Sequence, residues 1–124
     1  MLIEDFLKED VFAVVGASSN PEKYGNKIYQ HLKKLGKKVY PIHPAITELD
    51  GDPVYKTLSD IPEKVSVVDV VVPPKVTEKV VEECLKLGIT KVWMQPGAES
   101  AKAIEFCEKN NIDVISNACV MMES

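Results

Sequence analysis

Gly16-Ala17-Ser18-Ser19-Asn20 is the stretch whose residue types and spacing could do chemistry. It follows an apolar, partly β-branched run, Val11 to Val15, that reads as a buried strand. It precedes a helical pattern that begins near Gly25 and carries Ile28, Leu32 and Leu35. Backbone N–H groups at the start of a helix are unpaired donors with partial positive charge. Strand, small-residue turn and helix in this order therefore suit a bound phosphate. Ser18 and Ser19 add hydroxyls and amides. Asn20 can close the turn through its side chain, Pro21 stiffens the chain beyond it, and Lys23 is the nearest cation, placed to meet an extra phosphate.

The loop departs from the dinucleotide fingerprint GxGxxG. Gly16 matches, but Ser18 and Pro21 stand at the second and third glycine positions. A nicotinamide site usually has an acid at the end of the second strand for the ribose hydroxyls, and this chain has Ile42-His43-Pro44 there. Ordinary NAD binding is therefore disfavoured. His43 reads as a wall residue or hydrogen-bond donor, because a catalytic base needs an orienting partner and a substrate proton within reach. His31, among lysines, reads as surface. Cys84, Cys107 and Cys119 form no CxxC pair and, with two histidines, no zinc pattern. They read as reduced, structural thiols. No catalytic residue and no metal ligand is assigned. Asp69, inside the apolar run Val67 to Val72, is costly to bury unless paired. It marks either an exposed strand face or a polar contact in the core.

The elements that must position these residues can be read from periodicity. An amphipathic helix is expected over 1–9, strands over 11–16, 38–42, 67–72, 91–94 and 113–115, and helices over 25–35, from a start at Pro73-Pro74 to an end at Gly88, and over 98–110. Pro41 marks the end of the second strand, Pro53-Val54-Tyr55 a short edge strand, and Ser59 to Pro62 a helical turn. Val76, Val80, Cys84 and Leu87 are expected to form the buried stripe of the third helix, and Ala101, Ile104 and Cys107 that of the fourth. Trp93 reads as core. Strand–helix alternation predicts an α/β fold, a three-layer, Rossmann-type, doubly wound and mainly parallel sheet in a single domain over 1–124. Ligands of such sheets sit outside the carboxyl ends of the strands.

The chain has 124 residues, 45% of them hydrophobic, and a net charge of -4. These values fit one globular core and argue against a nucleic-acid binder. No apolar run approaches the ~20 residues of a membrane span. The acidic N-terminal residues lack the basic region of a signal peptide, so a cytoplasmic location is expected.

Five motifs in order carry a resemblance: G-A-S-S-N-P-x-K-Y-G, Y-P-x-H-P, L-x-G-x-P-V-Y, L-x-D-I-P and V-W-M-Q-P-G-A. They resemble the small stand-alone CoA-binding proteins, which are similar to the N-terminal CoA-binding domain of the succinyl-CoA synthetase α subunit. The resemblance implies a domain over 1–124 that binds coenzyme A through its ADP and diphosphate end. Gly16, Ala17, Ser18 and Ser19 would line the phosphates, and Lys23 and Tyr24 would flank the nucleotide. His43 and Pro44 would wall the adenine or ribose, where the family more often has Asn-Pro. Val72, Pro73 and Pro74 would touch adenine or pantetheine, and Met94, Gln95 and Pro96 would sit beside the nucleotide or pantetheine arm. Two departures stand out. Val-Val-Val-Pro-Pro replaces a V-D-V-F-R-like run, and Asn117-Ala118-Cys119 replaces Asp-Arg-Cys.

The expected function is non-catalytic binding of CoA or an acyl-CoA as a carrier, sensor or regulatory module. The alternatives are a subunit of an acyl-CoA ligase acting with a separate chain, or an NAD(P)-binding redox regulator. A mixed disulfide between Cys119 and the CoA thiol is the sharper reading of that cysteine. Neither nucleic acid nor membrane is expected as a partner. A homodimer, or another protein partner, stays open.

Overall fold

Short β-branched runs separated by amphipathic segments build the sheet. The computed structural model describes residues 2–124. In chain order the elements are α1 Leu2–Leu7, β1 Val11–Val15, α2 Tyr24–Lys34, β2 Lys38–Ile42, β3 Glu48–Leu49 and β4 Asp52–Pro53. A 3-10 turn, Leu58–Asp60, leads to β5 Val67–Val70, α3 Pro74–Leu87, β6 Lys91–Met94, α4 Ala101–Lys109, β7 Asp113–Ile115 and α5 Val120–Glu123. Five strands run parallel in the order β2-β1-β5-β6-β7, and β3 and β4 form a separate antiparallel pair. The chain leaves β1 in one direction to β2 and returns on the other side to β5. The topological switch point is therefore between β1 and β5.

Alternate residues of each strand feed two cores. Phe12, Val14, Val67 and Trp93 pack beneath α1, α2 and α5, with Phe6, Ile28, Leu32 and Val120. Ala13, Val15, Val68, Val70 and Met94 pack beneath α3 and α4, with Val80, Cys84 and Cys107. This is the three-layer doubly wound architecture that the alternation implied. Trp93 is a core residue. Its ring meets Phe6 edge-on with centroids 6.1 Å apart, and its Nε1–H donates to Ala118 O at 2.8 Å.

Several boundaries and faces differ from the periodicity reading. In α3 the buried positions are Thr77, Val80, Val81 and Cys84, whereas Val76 and Leu87 are exposed. Thr77 replaces an aliphatic residue on that stripe because its hydroxyl is satisfied, donating to Ala98 O at 2.8 Å. The fourth helix starts at Ala101, not at 98, because Ser100 caps it by accepting from Ala103 N. Ala101 is exposed and Ala103 is buried in its place.

Pro41 lies inside β2, not at its end. Its missing donor faces away from β1, since Pro41 O on that same outer side accepts from Tyr55 N at 3.0 Å. Tyr55 forms an isolated parallel bridge to Ile42, and Pro53 belongs to β4. Lys33, Lys37 and Lys38, near the end of α2, are engaged. Lys33 pairs with Asp52 at 2.7 Å, Lys38 pairs with Glu63, and Lys37 donates to Leu7 O at 2.5 Å. No helix among the described residues is long and apolar enough to cross a membrane.

Candidate functional site

A phosphate loop needs a backbone that turns sharply and a helix that begins close to it. Both requirements fall on glycines. Gly16 has φ +99°, a conformation that disfavours a side chain, and a Cβ there would collide with Val71 O. Gly25, in the first turn of α2, would drive a Cβ into the carbonyl oxygen of Gly16. The start of α2 therefore rests directly on the end of β1. The fingerprint spacing puts the close-packing glycine at Pro21, and the structure puts that role at Gly25.

The loop is pinned on both sides. Gly16 N and Ala17 N donate to Ile42 O at 3.0 and 3.2 Å. Asn26, buried in α2, donates from Nδ2 to Ser18 O at 2.8 Å. Ser18 Oγ accepts from Asn20 N, and Asn20 Oδ1 accepts from Glu22 N, closing the turn as the Asn20 reading required. Lys23 is the N-cap of α2 and makes no side-chain cap. The amides of Ser18, Ser19, Tyr24 and Gly25 meet no acceptor among the described residues. The N-terminal end of α2, with its partial positive charge, is thus open for an anion.

Above this floor lies a cavity of about 540 Å³ at the switch point. Gly16, Ala17, Ser18, Lys23, His43, Pro44, Val72 and Pro73 line it, all residues singled out from the sequence. Its apolar far wall is Leu58, Val76 and Val80, which the sequence reading missed. Val76 is exposed because it faces this cavity. Pro74 and Pro96 border an adjoining groove that shares Val71, Val72 and Pro73 with the cavity. Ser19 and Tyr24 are exposed beside the loop and are not among the lining residues.

Met94 and Gln95 have no exposed surface and do not line the cavity. Gln95 is occupied inside the protein. Its Nε2 donates to Asp69 Oδ1 at 2.7 Å, and its Oε1 accepts from Val120 N at 3.0 Å. Asp69 is fully buried, so of the two readings left open for it the core contact holds. Burial pushes its carboxyl up to about 7, with the Gln95 bond opposing in part.

The charges of the cavity are Lys23, Lys56 and Glu83. Neither lysine has a carboxylate partner among the described residues. Glu83 is held by Ser59, through Oγ at 2.9 Å and N at 3.3 Å. His43 is half-buried, and its Nδ1 accepts from Ala45 N at 3.0 Å and Ile46 N at 3.3 Å. In the neutral ring the proton is therefore on Nε2. All three cysteines are buried and unpaired. Burial pushes Cys84 up to about 12 and Cys107 up to about 11, which disfavours the thiolate. Cys119 lies beside the Tyr24 hydroxyl and raises that phenol above its ordinary value. Among the described residues no group of three or more His, Cys, Asp or Glu is arranged to hold a metal.

A parallel sheet with open amides at its switch point defines a nucleotide-binding α/β domain. The CoA binding domain family matches residues 10–124, and this chain belongs to it; coenzyme A is the ligand of that family. The acetate–CoA ligase (ADP-forming) I of Archaeoglobus fulgidus is 33% identical over 122 residues, covering 90% of this chain and 18% of its own. The α subunit of acetate–CoA ligase (ADP-forming) II of Pyrococcus furiosus is 30% identical, covering 96% of this chain and 28% of its own. The chain thus spans only 18% to 28% of the length of these two ligases. A solved structure of a conserved hypothetical protein from Pyrococcus furiosus matches with TM-score 0.89 at 40% identity. That match covers 94% of this chain and 100% of the other.

Proposed function

We propose that this chain binds coenzyme A or an acyl-CoA and carries, senses or presents it without catalysing a reaction itself. The observation that carries the reading is the set of open amides of Ser18, Ser19, Tyr24 and Gly25, on a floor that two glycines hold close-packed beneath the cavity. Gly16, Ala17, Ser18 and Ser19 receive the diphosphate, with Lys23 and Tyr24 at its flank. His43, Pro44, Val72 and Pro73 enclose the nucleoside. Pro74 and Pro96 line the exit of the pantetheine arm. Met94 and Gln95 support this end of the sheet from within. The one acid of the cavity, Glu83, is bound to Ser59 and stands on α3, not at the end of β2 where a nicotinamide ribose would need it. Three unpaired cysteines support a cytoplasmic setting.

A second reading has this domain act as part of an ADP-forming ligase together with a separate chain. The likeness to an acetate–CoA ligase α subunit favours it. A thermal-shift panel and an assay divide the readings. At 100 times the dissociation constant, CoA should stabilise the fold by about 2.7 kcal/mol, and NAD and NADP should not. Stabilisation by NAD or NADP and not by CoA would replace the coenzyme reading with a redox regulator. Acyl-CoA formation from ATP by this chain alone would remove the non-catalytic reading, and formation only with a partner chain would establish the ligase reading.

The loop gives a sharper test. Ser18→Asp places a carboxylate beside the diphosphate and should weaken CoA binding by about 1–3 kcal/mol in a calorimetric titration. Unchanged affinity would put the phosphates elsewhere.

A further inference from the structure

We infer that residues 117–124 form a strap over the sheet whose opening is driven by loss of the Asp69 proton, and that the open strap bares Cys119. The strap starts at Asn117, a non-glycine residue at φ +59°, and holds one short helix, α5. Two polar contacts seat it, and both lead to one place in the sheet. Trp93, the register partner of Asp69, donates from Nε1 to Ala118 O at 2.8 Å. Gln95 Oε1 accepts from Val120 N at 3.0 Å, while Gln95 Nε2 donates to Asp69 Oδ1 at 2.7 Å. The carboxyl is thus two hydrogen bonds away from the strap backbone. Its other oxygen, Oδ2, is buried without a partner among the described residues.

Asp69 pairs with no cation among the described residues. Its strand neighbours are Val14 and Trp93. On the same face of the sheet lie α1, α2, the β3–β4 pair and the strap. Their buried titratable groups are Tyr29, whose hydroxyl donates to Asp52, and Cys119, beside the Tyr24 hydroxyl. Asp52 is paired with Lys33, Asp5 with Lys8, and His31 Nε2 meets Ser124 Oγ at 2.6 Å; the remaining charged side chains of these elements are exposed. Ionisation strengthens the Gln95 bond, but burial outweighs that bond and raises the carboxyl to about 7. Once water reaches it, an aspartate titrates near 3.9. Between those values the closed strap holds a proton that the open strap releases. Opening is therefore rarest in acid and grows more frequent as pH rises, by about 50-fold from pH 5 to 7. The strap is the element that yields. Helix α2 buries five residues and is pinned by the Gly25 contact, whereas α5 has four residues and buries Val120 alone.

Amide hydrogen exchange of the unmodified protein tests the strap, with protection taken relative to an unstructured peptide at the same pH. The Val120 amide should be less protected than the amides of β1, which exchange with global unfolding, and its protection should fall by about 50-fold from pH 5 to 7. In Asp69→Asn most of that fall should be absent. His31 is present in both proteins, so the comparison leaves Asp69 alone. Iodoacetamide at pH 8 should label Cys119 before Cys84 and Cys107, which lie in the core beneath α3 and α4, and should label it about tenfold more slowly in Asp69→Asn. Val120 as well protected as β1 would mean that the strap does not open by itself and would overturn the inference, whether or not the variant folds. Protection that is constant with pH, or that falls equally in Asp69→Asn, would overturn the link to Asp69.

Discussion

At pH 8 the Asp69→Asn protein should be about 2 kcal/mol more stable than its parent, and this difference should change sign as the pH falls, leaving the variant about 2 kcal/mol less stable near pH 4. Asp69 is fully buried between Val14 of β1 and Trp93 of β6, and only one of its carboxylate oxygens has a partner. Burial raises its carboxyl to about 7, and the Gln95 bond recovers part of the loss. An unfolded aspartate titrates near 3.9. Between those two values the native state holds a proton that the unfolded state has released. Stability therefore falls as pH rises through this window, and the full cost of the buried charge, about 4 kcal/mol, is present above it. Asparagine removes the charge and keeps an acceptor for Gln95 Nε2. Its amide then lacks one acceptor, which offsets about 1–3 kcal/mol of the gain. Urea unfolding of both proteins from pH 4 to 8 gives the difference directly. A difference that stays flat across that range would mean that Asp69 titrates alike in both states.

The acid pairs elsewhere have the opposite sign. Lys33 and Lys38 hold Asp52 and Glu63 below the usual carboxylate range, so their contribution is present at neutral pH and lost in acid. Both carboxylates are well exposed, so solvent screening keeps that contribution small. Comparing variant with parent removes these terms and leaves Asp69 alone.

The site was legible in the sequence wherever its signal is local. The run from Val11 to Val15 and the small polar turn after it marked the turn whose amides stay open, because strand, turn and helix are all written within a few residues. The motifs at 40–44 and 92–98 placed two further strand ends. Contacts between distant segments were not legible. Lys56 reaches the cavity only because Tyr55 bridges Ile42, a pairing with no periodic trace in a stretch broken by Pro53. Val76 looked like core because it is apolar at a helical spacing, yet it faces the cavity. Gln95 sits in a turn motif that suggested ligand contact. Its side chain instead ties β5 to α5 through Asp69 Oδ1 and Val120 N. Such a bond depends on a partner 26 residues away, which spacing rules do not reach. Asp69 stayed ambiguous for the same reason, since the residue that satisfies half of it lies just past the end of another strand.

Gly25→Ala is the substitution that should separate a rigid floor from a merely convenient one. In an ordinary helix, replacing glycine by alanine gains about 1 kcal/mol. Here the new Cβ would overlap the Gly16 carbonyl oxygen and lie within 2.9 Å of its carbon and 3.2 Å of Ala17 Cα. All three are backbone atoms, and no side-chain rotation relieves them. Helix α2 must retreat, which stretches the Asn26 to Ser18 bond and parts the amides of Tyr24 and Gly25 from the loop. Overpacking of this kind costs about 1–3 kcal/mol, so the melting temperature should fall where helix propensity alone predicts a rise. CoA affinity should drop by about tenfold or more, because charge-assisted bonds to phosphate weaken steeply as the donors move apart. Gly36→Ala is the matched comparison. That glycine also has positive φ, +84°, but its Cβ would enter open space. It should lose about 1–2 kcal/mol of stability from the left-handed backbone and bind CoA as before. If Gly25→Ala melted no lower than its parent and bound CoA equally well, α2 would be free to slide. The amides would then not be held in place by the glycine contact, and the cradle would have to form only when the ligand arrives.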